Sequence, residues 1–148
     1  MDKGIVKEKL RLAISDMSNA SMIECELRNI ISSGTLVDAV RMACIITYAR
    51  PFTKSKASNG TPKKWLKHYD DDIKEFLYSK NKRLFEVHNL ILAERNQLVA
   101  HPDFEHHKVH DNGTCHSLCF KSYTHSEFNE VNLLMENFFK TKLGELNV

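Results

Sequence analysis

The stretch NKRLFEVHNLILAERNQLVAHPD, from Asn81 to Asp103, decides how the rest of the chain is read. Leu84, Ile91 and Leu98 recur every seven residues, with Val87, Leu92 and Val99 beside them. That is the apolar stripe of an amphipathic helix. His88 and Arg95 fall in line with it, because positions 84, 88, 91, 95 and 98 follow the helical period. A guanidinium on such a stripe is unusual, since an unpaired charge is costly to bury. Either a carboxylate satisfies it, or it snorkels at the edge, or the face meets a polar site at a helix–helix or subunit interface. His101 stands directly before Pro102, and proline pushes its predecessor out of the α region. The stretch therefore predicts a helix over 81–101 that delivers an imidazole at its C-terminal tip.

The surroundings of this helix read as one domain over residues 1–148, long enough to bury a core. Hydrophobic residues at 42% and charged residues at 27% argue against disorder, and a net charge of +2 does not by itself announce a nucleic-acid binder. No apolar run reaches bilayer-spanning length, and MDKGIVKEKLRL is too charged for a signal peptide. Cys25, Cys44, Cys115 and Cys119 are scattered rather than arranged as a disulfide framework, which points to a reducing, cytoplasmic setting.

Upstream, Val6, Leu10, Ala13, Met17, Ala20, Leu27 and Ile31 step at threes and fours, predicting a first helix over about residues 4–32. Glu24 interrupts its seam, and Asn19 and Ser21 suggest a break near residue 20. Ser32-Ser33-Gly34 closes it, and Thr35 with Asp38 opens a second helix that buries Val37, Val40, Ala43, Cys44 and Tyr48 and stops at Arg50-Pro51. PFTKSKASNGT, residues 51–61, has loop chemistry, and its lysines join Lys63, Lys64 and Lys67 in a basic cluster. Thr61 and Pro62 predict a short helix carrying Trp65, Leu66 and Tyr69, and Asp70 to Asp72 a further start.

Downstream, helical periodicity is lost until Thr124 and Glu127 form a capping box. Asp111-Asn112-Gly113 is a tight-turn signal inside that gap. A last helix then buries Phe128, Val131, Leu134, Met135, Phe138 and Phe139 and ends at Gly144. The sum is an all-α fold: an antiparallel bundle of four or five helices with a small irregular or β-hairpin insertion before the last.

Arg95-Asn96, four intervening residues and His101, set near the end of a helix in a small all-α chain, resemble the motif of the HEPN superfamily. RNQLVAHPD looks most like its abortive-infection branch. The resemblance implies a HEPN-like helical domain that dimerises through the 81–101 helix. It also implies a metal-independent endoribonuclease without cofactor, in a toxin or antiphage role, with an antitoxin protein as a further partner. Chemistry is compatible with this. RNA carries its own nucleophile, the 2′-hydroxyl, so cleavage needs proton transfer and positive charge on the phosphate rather than a metal. By the resemblance His101 transfers protons, Arg95 stabilises phosphate charge, and Asn96 positions the substrate or the histidine. His88, Asp103, Lys63 and Lys64 are candidates for substrate binding or support of the site. The family's toxins often carry a tyrosine two residues after the histidine, where this chain has Asp103, so control by modification there is not implied. A spacing of six places Arg95 and His101 about 120° apart on an ideal helix, which asks for a two-fold partner to bring them together.

Two other readings stand beside it. One is a non-catalytic helical module that binds protein or RNA. The other is a zinc site drawn from His101, His106, His107, His110, Cys115, His116 and Cys119, with His106, His110, Cys115 and Cys119 as the four ligands.

Overall fold

The computed structural model describes residues 3–29, 35–56, 62–64, 66–96, 107–109, 115–117 and 123–147. Five α-helices dominate: α1 (Lys3–Asn29), α2 (Thr35–Ala49), α3 (Asp70–Lys80), α4 (Lys82–Arg95) and α5 (His125–Glu145). The chain is all-α in class, with two short strand pairs in its connections. β1 (Lys54–Lys56) pairs antiparallel with β2 (Pro62–Lys64), and β3 (His107–Val109) pairs antiparallel with β4 (Cys115–Ser117). No helix among the described residues is long and apolar enough to cross a membrane.

α1 packs most extensively on α2 and α5, while α4 packs on α2, α3 and α5. One core results. Leu10, Met17, Tyr48, Leu77, Val87, Ile91, Val131, Met135 and Phe139 are all fully buried in it. α1 runs unbroken through residue 20, since Met17 and Ala20 are both buried and Cys44 donates its S–H to the Ala20 carbonyl at 3.4 Å. Tertiary contact here overrides the weak propensity of Asn19 and Ser21. In α2, Ile45 and Thr47 are buried with Cys44 and Tyr48, whereas Ala43 faces out. α5 likewise buries Asn132, whose Nδ2 donates to the Met17 carbonyl at 2.8 Å and to Ser21 Oγ at 2.6 Å. A buried amide is tolerable only with such partners.

The helix expected after Thr61-Pro62 is not formed. Pro62–Lys64 is β2, in register Lys54↔Lys64, Ser55↔Lys63 and Lys56↔Pro62, and a 3₁₀ turn over Lys67–Tyr69 follows. Proline occupies the first position of the strand, where its missing N–H harms a ladder least. Asn59-Gly60, between the strands in sequence, is a hairpin signal that outweighs the helix start.

Asn81 joins α3 to α4. Its backbone is extended, its N–H closes α3 on the Leu77 carbonyl at 2.9 Å, and its Oδ1 caps α4 by accepting from the Arg83 N–H at 2.9 Å. At the start of α5, Thr124 Oγ1 accepts from the Glu127 N–H at 3.1 Å while Glu127 Oε2 accepts from the Thr124 N–H at 2.7 Å, the reciprocal box that the sequence predicts. α5 continues through Gly144 to Glu145, so the glycine lies in the last turn rather than beyond it.

The α4 stripe is packed inside the chain itself. Leu84, Val87, His88, Ile91 and Glu94 are its buried residues. Ile91→Ala is expected to lower unfolding stability by about 3 kcal/mol in urea melts, with the same midpoint at low and high protein concentration. A midpoint that climbs with concentration would place Ile91 in an interface between chains instead.

Candidate functional site

The C-terminal turn of α4 carries two charged residues side by side in sequence, and they face different environments. Glu94 is 2% exposed. Arg41 of α2 donates to its Oε1 at 2.8 Å, and the hydroxyl of Tyr123, just ahead of α5, donates to its Oε2 in a short hydrogen bond. Glu94 thus belongs to the stripe 84, 87, 91, 94, which alternates threes and fours as well as the one containing Arg95 does. Reading 84–88–91–95 from the sequence assigned the polar position to the wrong neighbour. The apolar alternation with Val87 is the signal that would have found Glu94.

Burial pushes the Glu94 carboxyl above its ordinary range, opposed by the Tyr123 hydrogen bond and the Arg41 charge. The Tyr123 hydroxyl is pushed far up, by burial first and by the Glu94 charge second, so it remains a donor. Cys44, nearby on α2, is pushed up to about 12 by burial and by the Glu24 carboxylate. It stays a thiol at neutral pH and is no nucleophile.

Arg95 is partly buried and behaves differently from the other arginines whose side chains are described. Arg11 pairs with Glu8, Arg41 with Glu94, Arg50 with Asp16 and Arg83 with Glu127, the last through two nitrogens at 2.8 and 3.4 Å. Arg95 Nη1 instead donates to Asn96 Oδ1 at 3.0 Å, and no carboxylate among the described residues pairs with it. Asn96 is exposed and caps α4, its N–H reaching the Ala93 and Leu92 carbonyls. A guanidinium held by a neutral amide keeps its full charge and its remaining donors, the state that binds an anion.

His88 is one of the predicted residues that the structure sets apart from Arg95. It is buried, its Nδ1 lies 2.7 Å from the Tyr48 hydroxyl, and its ring meets Phe52 edge-on at 4.7 Å. It also borders a cavity of about 250 Å³ with Asp70, Asp71, Phe85 and Asn89. Lys63 and Lys64 lie on β2, where only their backbone pairing is described. His101 and Asp103 lie outside the described residues, as do residues 97–100 of the predicted 81–101 helix. In the expected zinc cluster, His101, His106, His110 and Cys119 lie outside them too, while His107, Cys115 and His116 contribute backbone to β3 and β4. Among the described residues no group of three or more His, Cys, Asp or Glu is placed to hold a metal.

A cavity of about 560 Å³ opens beside the Arg41–Glu94–Tyr123 cluster. Leu27, Cys44, Ile45 and Phe128 supply its apolar wall, and Glu24, Arg41, Tyr123 and His125 its polar one. Glu24, expected only to interrupt the α1 seam, is 4% exposed and accepts from Asn129 Nδ2 at 3.0 Å.

Comparison with protein-family models, with curated proteins and with solved structures returned no match for this chain.

The cluster makes a graded prediction. Glu94→Ala removes the acceptor of two partly buried donors and should cost about 3 kcal/mol of stability, whereas Glu94→Gln keeps volume and an acceptor and should cost about 1 kcal/mol. The pH dependence has a definite sign. Because the folded value of Glu94 lies above its ordinary 4.5, the contribution of the protonated carboxyl is full below 4.5 and is lost as pH rises through the folded value. In urea melts, the deficit of Glu94→Gln relative to wild type should shrink over that window. A deficit that widens with pH would contradict the assigned direction.

Proposed function

We propose that this chain is a HEPN-type, metal-independent endoribonuclease, folded as an antiparallel helical bundle with a hairpin insertion before its last helix. The observation that carries the reading is Arg95. It is a partly buried guanidinium at the end of a helix, held by Asn96 and paired with no carboxylate among the described residues. Four other arginines are already matched by Glu or Asp. An arginine left with open donors six residues before a histidine fits a phosphate contact better than a fold-stabilising ion pair.

In this reading Arg95 holds a phosphate non-bridging oxygen and gathers the charge that builds on it as the 2′-hydroxyl attacks. His101 moves protons at the attacking or leaving oxygen, for which an imidazole is suited near neutral pH. Asn96 fixes the guanidinium, and Lys63, Lys64 and Asp103 stand as further RNA-contacting candidates. The dimer forms around the end of the 81–101 helix, since Leu84, Val87 and Ile91 are occupied by the chain's own core. That arrangement lets one subunit's Arg95 act with the other's His101. A toxin or antiphage role in the cytoplasm, with an antitoxin as partner, follows from the same resemblance.

The test is cleavage of end-labelled RNA in excess EDTA by wild type, Arg95→Ala and His101→Ala, with sedimentation at micromolar concentration in parallel. Expected are a dimer and products ending in 2′,3′-cyclic phosphate, with cleavage reduced at least 100-fold, an order of magnitude set by losing one transition-state contact, in both variants. Equal cleavage by all three proteins, or a strict monomer, would overturn the proposal.

A further inference from the structure

Independently of the ribonuclease reading, we infer that the cavity between α1, α2 and the start of α5 is a binding site for an organic ammonium ion carrying an aromatic or branched apolar group. Its volume of about 560 Å³ falls within the roughly 300–1,000 Å³ of small-molecule sites.

Charge decides the ligand class. The two guanidiniums that face the cavity are each matched, Arg41 by Glu94 at 2.8 Å and Arg83 by Glu127 at 2.8 Å. Glu24 is a further carboxylate on the wall, and it is 4% exposed. The His125 imidazole lies 3.5 Å from one of its oxygens but is itself 66% exposed, so water screens what it offers. The described wall therefore carries more negative than positive charge around neutral pH, and a cation entering it gains while an anion meets repulsion.

The rest of the wall matches the body of such a cation. Tyr123 and Phe128 stand as a stacked pair, their centroids 6.4 Å apart, and both line the cavity. Aromatic faces beside a carboxylate favour an ammonium group through the ring quadrupole as well as through the charge. Leu27, Cys44 and Ile45 give the apolar part of the ligand a dry surface. Glu24 would take the N–H donors, for which a carboxylate offers two oxygens, while Asn129 Nδ2, bonded to Oε2 at 3.0 Å, steadies its orientation.

Three probes of one shape and different charge test this on the full chain: benzylamine, benzyl alcohol and benzoate, titrated at pH 7.5 and followed by calorimetry and by the ring resonances of Phe128 and His125. Benzylamine is expected to bind at least tenfold more tightly than benzyl alcohol, benzoate not at all, and the ring resonances of both residues to move. Glu24→Gln should bind the amine and the alcohol alike. The comparison among ligands on the wild-type protein stands even where that variant fails to fold. Equal affinity for amine and alcohol, preference for benzoate, or shifts that leave Phe128 and His125 untouched would overturn the assignment. RNA cleavage does not enter this result, so either reading can fail alone.

Discussion

The structure hangs on a carboxylate that is buried with its partners. Glu94 could not be placed in the core unmatched, because a lone ionised carboxyl in an apolar interior costs several kcal/mol. Arg41 reaches it from α2 and Tyr123 from the approach to α5, so one residue of α4 ties together three segments far apart in sequence. The Tyr123 bond has a topological consequence. It spans the two ends of the excursion between α4 and α5, the part of the chain that includes His101 and the histidine- and cysteine-rich run. Whatever that excursion does, its entry and exit are held at one point.

The same constraint explains the division of labour between adjacent residues. Turning Glu94 inward to meet Arg41 and Tyr123 fixes the rotation of the last turn of α4. Neighbouring residues on an α-helix stand about 100° apart, so Arg95 is carried to the edge of the packed face. There it meets Asn96 rather than a carboxylate. The fold needs one of the two charges and leaves the other with donors to use. His88, two turns earlier, is taken into the core by Tyr48 and Phe52, and belongs with the packing rather than with Arg95.

Much of the fold was legible because local signals and core periodicity agree. Thr35, the Arg50-Pro51 stop, Asp70 to Asp72, and the Thr124–Glu127 box each mark a helix boundary that the structure shows. The segment around Pro62 was misread because the same residue suits the first turn of a helix and the first position of a strand, and pairing with Lys54–Lys56 settles which. Glu24 and Glu94 were harder for a different reason. Periodicity marks a face as buried but does not say that a charge on it will find Asn129, Arg41 or Tyr123 from elsewhere in the chain. Of the candidate site, Arg95 and Asn96 are seen together, His88 is seen apart, and His101 and Asp103 lie outside the described residues.

The distinction between a structural Glu94 and a functional Arg95 is the claim on which this account rests. Its most direct test measures two properties of Arg95→Ala: its thermal midpoint, and its affinity for an RNA whose 2′-hydroxyls are methylated so that it cannot be cleaved. The account predicts an unchanged midpoint, within about 0.5 kcal/mol of wild-type stability as for a residue outside the packing network, together with RNA binding weakened about tenfold or more. A lowered midpoint with unaltered RNA affinity would make Arg95 another part of the packing and contradict the claim.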